Sequence, residues 1–130
     1  MGRRLWKVFD GAPNGVRSQN GLRVTLGYGK AIYMNLAAFE SLGSPQAVEL
    51  MFDDLRCIIG VRPIDAARPN AFPVKRHTTG RHMKISAAPL CAQYGIKPDG
   101  TILFQKAAVN EDGILELPLS SVIRVKRGSK

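Results

Sequence analysis

Apolar and polar positions alternate along much of this chain, and each run of alternation ends at a turn-forming residue. A period of two places successive side chains on opposite faces of a strand. Val24, Leu26 and Tyr28 alternate with Thr25 and Gly27. Gly29 turns the chain into a second strand, where Ile32 and Met34 flank Tyr33. Asn35 stands where a helix N-cap is wanted. Leu36, Phe39 and Leu42 then share one helical face, and Gly43 ends the helix. A helix of about two turns is held by packing, not by propensity. After Ser44-Pro45, Val48, Leu50 and Phe52 predict a third strand, Asp53-Asp54 a turn, and residues 57–61 a fourth strand ended by Arg62-Pro63.

The plan then returns. Residues 74–77 predict a strand, Thr78-Thr79-Gly80 a turn, and Met83 with Ile85 the inward positions of the next strand. Ser86 is placed to cap a second short helix, with Pro89 in its first turn, where a missing N–H is tolerated. Leu90 and Gly95 correspond to Phe39 and Gly43, and Ile102 and Phe104 to Val48 and Leu50. Residues 110–113 predict a turn and 114–117 a closing strand. KAIYMNLAAFESLG thus aligns with RHMKISAAPLCAQYG, one residue longer in the second copy. Neither unit of strand-strand-helix-strand-strand can bury both faces alone. The expected fold class is mainly β with short helices (α+β), two tandem ββαββ repeats joined into one closed β-barrel. Closure removes the exposed strand edges that invite aggregation.

Charge reinforces the repeat. The chain has 130 residues, enough for one domain or two very small ones, and a net charge of +9. Resolved along the sequence, that charge is +5 over 1–30, −3 over 31–67, +5 over 68–84, −2 over 85–123 and +4 over 124–130. Each unit therefore leads with a basic segment and follows with an acidic one. An excess of this size favours a nucleic-acid partner over an acidic membrane surface. No apolar run approaches a membrane span, and no secretory leader is read at 1–10. Cys57 and Cys91 do not make a disulfide framework and are expected as reduced, buried thiols in a cytoplasmic protein.

The stretches RVTLGYGKAIYMNLAAFESLGSPQAVELMFDDLRCIIGVRP and, more loosely, VKRHTTGRHMKISAAPLCAQYGIKPDGTILFQ with EDGILELPL resemble the AbrB/MraZ/SpoVT-type swapped-hairpin domain. The shared elements are a basic strand, a Gly-basic turn, a short helix ending Leu-Gly and a following hairpin. The resemblance implies a first repeat at 22–63 and a second at 72–119. Around them lie a basic segment and loop at 1–21, a linker at 64–71 and a basic tail at 120–130. It also implies a swapped-hairpin barrel, a homodimer or higher homo-oligomer, and duplex DNA contacted through basic hairpins. The basic residue after the turn glycine maps onto Lys30 and Arg81, and that of the preceding strand onto Arg23 and Lys75. The family's helix-starting proline and helix arginines are replaced here by Asn35, Ala38 and Phe39, and by Ser86, Pro89 and Leu90.

The residues themselves point to the same chemistry. Lys75, Arg76, His77, Arg81, His82 and Lys84 form the densest basic patch, with no acid to offset it. With Met83 and Ile85 inward, His82 and Lys84 share the outward face. Lysines and arginines there would hold phosphates, which give affinity without sequence reading. A two-stranded ribbon also suits a major groove. The competing reading is a solvated edge hairpin kept basic to prevent pairing. Arg124, Lys126 and Arg127 of the tail would add an arm. Arg3, Arg4, Trp6 and Lys7 interleave cations with an aromatic ring that either stacks a base or packs on the core. Cysteines and histidines lack metal-site spacing, no nucleophilic triad or paired carboxylates stand out, and the glycines form no nucleotide loop. The reading is therefore a non-enzymatic DNA-binding protein, a transcriptional regulator or nucleoid-associated factor, with no cofactor, no metal and no membrane partner. The alternatives are a module for single-stranded DNA or RNA stacking on Trp6, Tyr28 and Tyr33, and a structural interaction protein.

Overall fold

The computed structural model describes residues 21–27, 29–77, 82–98 and 100–125. The chain runs β1 (Val24–Leu26), β2 (Ala31–Asn35), α1 (Leu36–Ser41), β3 (Ala47–Asp53) and β4 (Ile58–Pro63). It continues with β5 (Phe72–Pro73), β6 (Lys75–Arg76), β7 (His82–Ser86), α2 (Ala88–Tyr94) and β8 (Ile102–Phe104). β9 (Ala108–Val109), β10 (Leu115–Pro118), a 3-10 turn (Leu119–Ser121) and β11 (Val122–Arg124) complete it.

These strands form two antiparallel sheets, one of six in the order β11-β8-β1-β2-β7-β6 and one of five in the order β5-β3-β4-β10-β9. The fold class expected from the pattern, mainly β with two short helices, is what the structure shows. The closed barrel is not: both sheets are open. Their outermost strands explain why. β5, β6 and β9 are two residues long, and β5 ends in Pro73, which has no N–H to continue a ladder. The chain instead turns corners between sheets. Val74 links β5 to β6 and is tied down by its N–H, which donates to the Gln46 carbonyl at 2.9 Å. The 3-10 turn likewise carries the chain from β10 to β11.

One hydrophobic core joins the two layers. Val24, Leu26, Ile32, Met34, Met83, Ile85 and Phe104 come from the six-stranded sheet, and Val48, Ile59, Val61, Leu115 and Leu117 from the five-stranded one. Ala38, Leu42, Leu90 and Cys91 place both helices in the same cluster. α1 therefore packs through Ala38 and Leu42, while Leu36, expected inward, is about half exposed.

Asn35 does more than start α1. Its side-chain carbonyl accepts from Ala38 N at 3.0 Å and from Arg23 N at 3.1 Å, and its Nδ2 donates to the Gly21 carbonyl at 3.0 Å. One residue thus caps the helix and clamps the entry to β1. Ser86 has no matching role: the α2 N-cap is Ala87, with no side-chain bond, and Pro89 sits in the first turn as expected. Gly29 lies in the β1–β2 turn as expected, and Lys30 after it takes the left-handed conformation, at φ 65°. Lys30 N donates to Gly27 O at 2.8 Å and Gly27 N to Ala31 O at 2.9 Å. Cys57 is exposed and not buried, because it occupies the left-handed position (φ 56°) that ends the β3–β4 turn and so lies outside the strand.

Candidate nucleic-acid interface

Strand alternation gives the six-stranded sheet an inner and an outer face. Val24, Met34 and Met83 lie in register and are buried; the positions between them face away from the core. Along the outer face, Ile123, Leu103, Thr25, Tyr33, Lys84 and Lys75 stand opposite one another in succession. The neighbouring row places Asn35 opposite His82. Arg23 lies beside Asn35: Asn35 N donates to the Arg23 carbonyl, and Arg23 N donates to the Asn35 side-chain oxygen. His77 N donates to the His82 carbonyl at 2.7 Å, so β6 runs on along the same face. The His77 ring meets Tyr33 edge-on, centroids 5.3 Å apart.

The charge divides between the sheets. No strand of the six-stranded sheet contains an acidic residue, while it carries Lys75, Arg76, His82, Lys84 and Arg124. The five-stranded sheet carries Glu49, Asp53 and Glu116 against Arg62. The ion pairs Arg62–Glu49 and Arg56–Asp53 lie on that second side. There, the Arg56 guanidinium holds the Asp53 carboxyl below the usual carboxylate range. Lys75 and Lys84 face each other directly as a cross-strand pair. Like charges placed so destabilise a sheet, unless an anion lies between them.

The structure therefore brings together Arg23, Lys75, His82 and Lys84 around Tyr33, and sets Lys30 at the hairpin end of the same sheet. Arg76 does not join them, because its register partner is the inward Met83 and its side chain leaves from the other face of the edge strand. Nor does Arg124, opposite Ile102 at the far edge. Arg81, Lys126 and Arg127, like Trp6 and Tyr28, lie outside the described residues. The alternation of the second basic hairpin could have singled out His82 and Lys84 together with Tyr33, but pairing β2 with β7 across 51 positions is a tertiary choice.

The opposite side of the molecule has a shallow groove of about 180 Å³ floored by Gly60 and walled by Met51, Ile58 and Ile114, with Asp53 and Glu116 at its rim. No sequence signal marked it, since a lone glycine within a strand has several meanings. Among the described residues no group of three or more His, Cys, Asp or Glu side chains converges as a metal site, and no helix is long and apolar enough to cross a membrane. No protein-family profile, curated protein or solved structure matches the chain.

Proposed function

We infer that this protein binds nucleic acid through the outer face of its six-stranded sheet, with duplex DNA as the leading ligand and regulation of transcription or nucleoid organisation as the role. The observation carrying this reading is the Lys75–Lys84 pair: two ammonium groups opposed on a sheet whose strands hold no carboxylate. A phosphate between them converts their repulsion into two charge-assisted contacts. Arg23 and His82 lie in the adjoining row, and the β6–β7 hairpin is at the sheet edge, where a ribbon is free to enter a groove.

The β2–β7 register supports the tandem repeat behind the swapped-hairpin resemblance. Ala31 pairs with Ser86, Tyr33 with Lys84 and Asn35 with His82, so exchanging each residue for the one 51 positions away returns the same ladder. A pseudo-two-fold axis would pass through the Tyr33–Lys84 pair. The repeat does not extend to the following strands: β3 pairs with β4 in the five-stranded sheet, whereas its counterpart β8 joins β1 and β11. One chain already joins both hairpins, so homodimerisation is a separate proposal that light scattering tests.

A second reading has its own observation. Tyr33 with its edge-on His77, beside lysines on an open sheet face, is also the arrangement of a stacking platform for single strands. Binding to duplex DNA, single-stranded DNA and RNA, measured across salt, separates the two. Six neutralised phosphates on duplex give a log–log slope of about −5. Single-strand preference that disappears in Tyr33→Ala rejects the duplex reading, and no salt-dependent binding to any of the three rejects both.

A further inference from the structure

We propose that two copies of this chain associate about a two-fold axis, Leu55 of each entering the groove between Met51, Ile58 and Ile114 of the other. Leu55 is 93% exposed, the most exposed large apolar side chain among the described residues. Its turn holds it there. The Asp53 Oδ1 accepts from Leu55 N and from Arg56 N, each at 3.1 Å, and Cys57 at φ 56° returns the chain to β4. Leu55 is thus kept off the groove of its own hairpin. One exposed leucine is ordinary on a protein surface, but this one stands beside an apolar hollow on the same hairpin. That groove, of about 180 Å³, exists because Gly60 leaves its centre without a side chain. Met51 and Ile114 lean over the glycine from either side, so that a Cβ there would stand 3.1 Å from Met51 Cε and 3.4 Å from Ile114 Cγ2.

The placement of tip and groove sets the symmetry. Met51 pairs with Gly60 and Asp53 with Ile58, and Arg56 Nε donates to Asp53 Oδ2 at 2.7 Å. The order along the hairpin is therefore groove, Asp53–Arg56 pair, Leu55. A two-fold axis beside the Asp53–Arg56 pair carries each Leu55 onto the other copy's groove, and both contacts form together. The same axis lays the two ion pairs against each other in opposite sense, acid on base, and the Arg56 side chain is 64% exposed and free to bridge. The surface is thus complementary to itself in charge as well as in shape. Elsewhere charge opposes pairing: the chain carries +9, and the strands of the six-stranded sheet hold no acid. Paired in this way, the two six-stranded sheets face outward on opposite sides of the dimer and offer two basic faces. That last consequence rests on the nucleic-acid reading; the association does not.

The test uses the full chain without nucleic acid. Interfaces that bury less than about 1,200 Å² are weak and transient, so sedimentation velocity is run over a series reaching about 1 mM protein. The wild type is expected to pass from monomer to dimer along it. Leu55→Ser is expected to weaken association about 100-fold, because a two-fold contact counts each substitution twice, and to leave the urea melt unchanged. Arg56→Glu sets carboxylate against carboxylate at the axis and should also dissociate the dimer, whereas Arg56→Lys should retain it. In a mixture of isotope-labelled and unlabelled chains, nuclear Overhauser contacts are expected between molecules from the Leu55 methyls to the Met51 and Ile114 methyls. A monomer throughout the series would overturn the proposal. So would a dimer that survives Leu55→Ser, or Leu55 contacts confined to one molecule. Failure to bind nucleic acid by a chain that dimerises in this way would instead count against the proposed function alone.

Discussion

Tyr33 and Lys84 face each other at the midpoint of the β2–β7 ladder, and the register reads the same outward from them in both directions. On one side of Lys84 is Tyr33, whose ring meets His77; on the other is Lys75, which brings a second ammonium group. This places an aromatic surface and an unneutralised pair of cations on adjoining strands. The candidate chemistry centres on these two residues.

Replacing both Lys75 and Lys84 with glutamine should reduce nucleic-acid binding and leave the fold intact. Without these two cations on phosphate, the duplex salt slope should fall in magnitude by about 1.8. The same change removes a like-charge cross-strand pair and should raise stability, by roughly 0.2–1 kcal/mol. Anisotropy titrations across salt and urea melts read the two effects. An unchanged slope would mean that the pair does not touch phosphate.

Lys30→Gly separates backbone from side chain. Lys30 holds φ 65°, a left-handed conformation that costs a non-glycine residue about 1 kcal/mol. Glycine relieves that cost but loosens the unfolded chain, so chemical denaturation should show a net gain of up to about 1 kcal/mol. Binding should weaken at the same time, with a slope smaller by about 0.9. A stability gain without weaker binding would remove Lys30 from the interface.

Asn35→Ala removes a helix cap and the clamp on β1 together. Cap loss alone costs about 1 kcal/mol and loss of the partly buried bond from Arg23 N about another 1 kcal/mol, with the exposed bond to Gly21 O adding less, so a loss of about 2 kcal/mol is expected in urea melts. Asn35→Asp keeps the acceptor for Arg23 N and Ala38 N but loses the donor to Gly21 O. It should therefore fall between alanine and wild type. Equal losses for both variants would assign the whole effect to the Gly21 bond.

The two thiols should differ sharply. Cys57 is exposed and Cys91 buried, so an aromatic disulfide reagent should label one quickly and the other only as the protein opens. Burial raises the Cys91 pKa, and the Lys30 charge partly opposes it. The folded state thus holds the thiol proton more tightly than the unfolded state. Its contribution is fully present below the ordinary thiol range and declines as pH rises through and above it. Cys91→Ala should flatten the alkaline side of the stability profile relative to wild type, measured by denaturant midpoints against pH. An unaltered alkaline limb would show that another group sets it.

Local signals carried the elements well. Val24, Leu26, Ile32, Met34, Met83 and Ile85 were readable as inward because strand geometry has a period of two, and all are buried. Asn35 was readable as a cap because its side chain competes for backbone N–H groups. The misses have physical causes too. Ser86 has the same chemistry as other N-caps, but the α2 start is shifted to Ala87, whose N–H donates to the Lys30 carbonyl at 2.9 Å. Cys57 belongs to an apolar run, yet the Asp53 side chain accepts from Leu55 N and Arg56 N and winds the turn through it. β5, β9 and β11 are too short to show periodicity.

The alternating charge of the chain, its turn residues and its inward apolar positions are properties of near neighbours, and they determined which segments become strands and which faces turn inward. Strand partners are chosen by contacts far apart in sequence. The closed barrel expected from the repeat gives way to two open sheets because short edge strands, one of them ending in Pro73, stop the ladders and the chain turns corners at Val74 and Leu119–Ser121. β8 beside β1, and Lys84 beside both Tyr33 and Lys75, follow from how one shared core is filled from two layers. Local pattern can make a residue basic and outward-facing; only packing across the whole chain decides which other residues stand next to it.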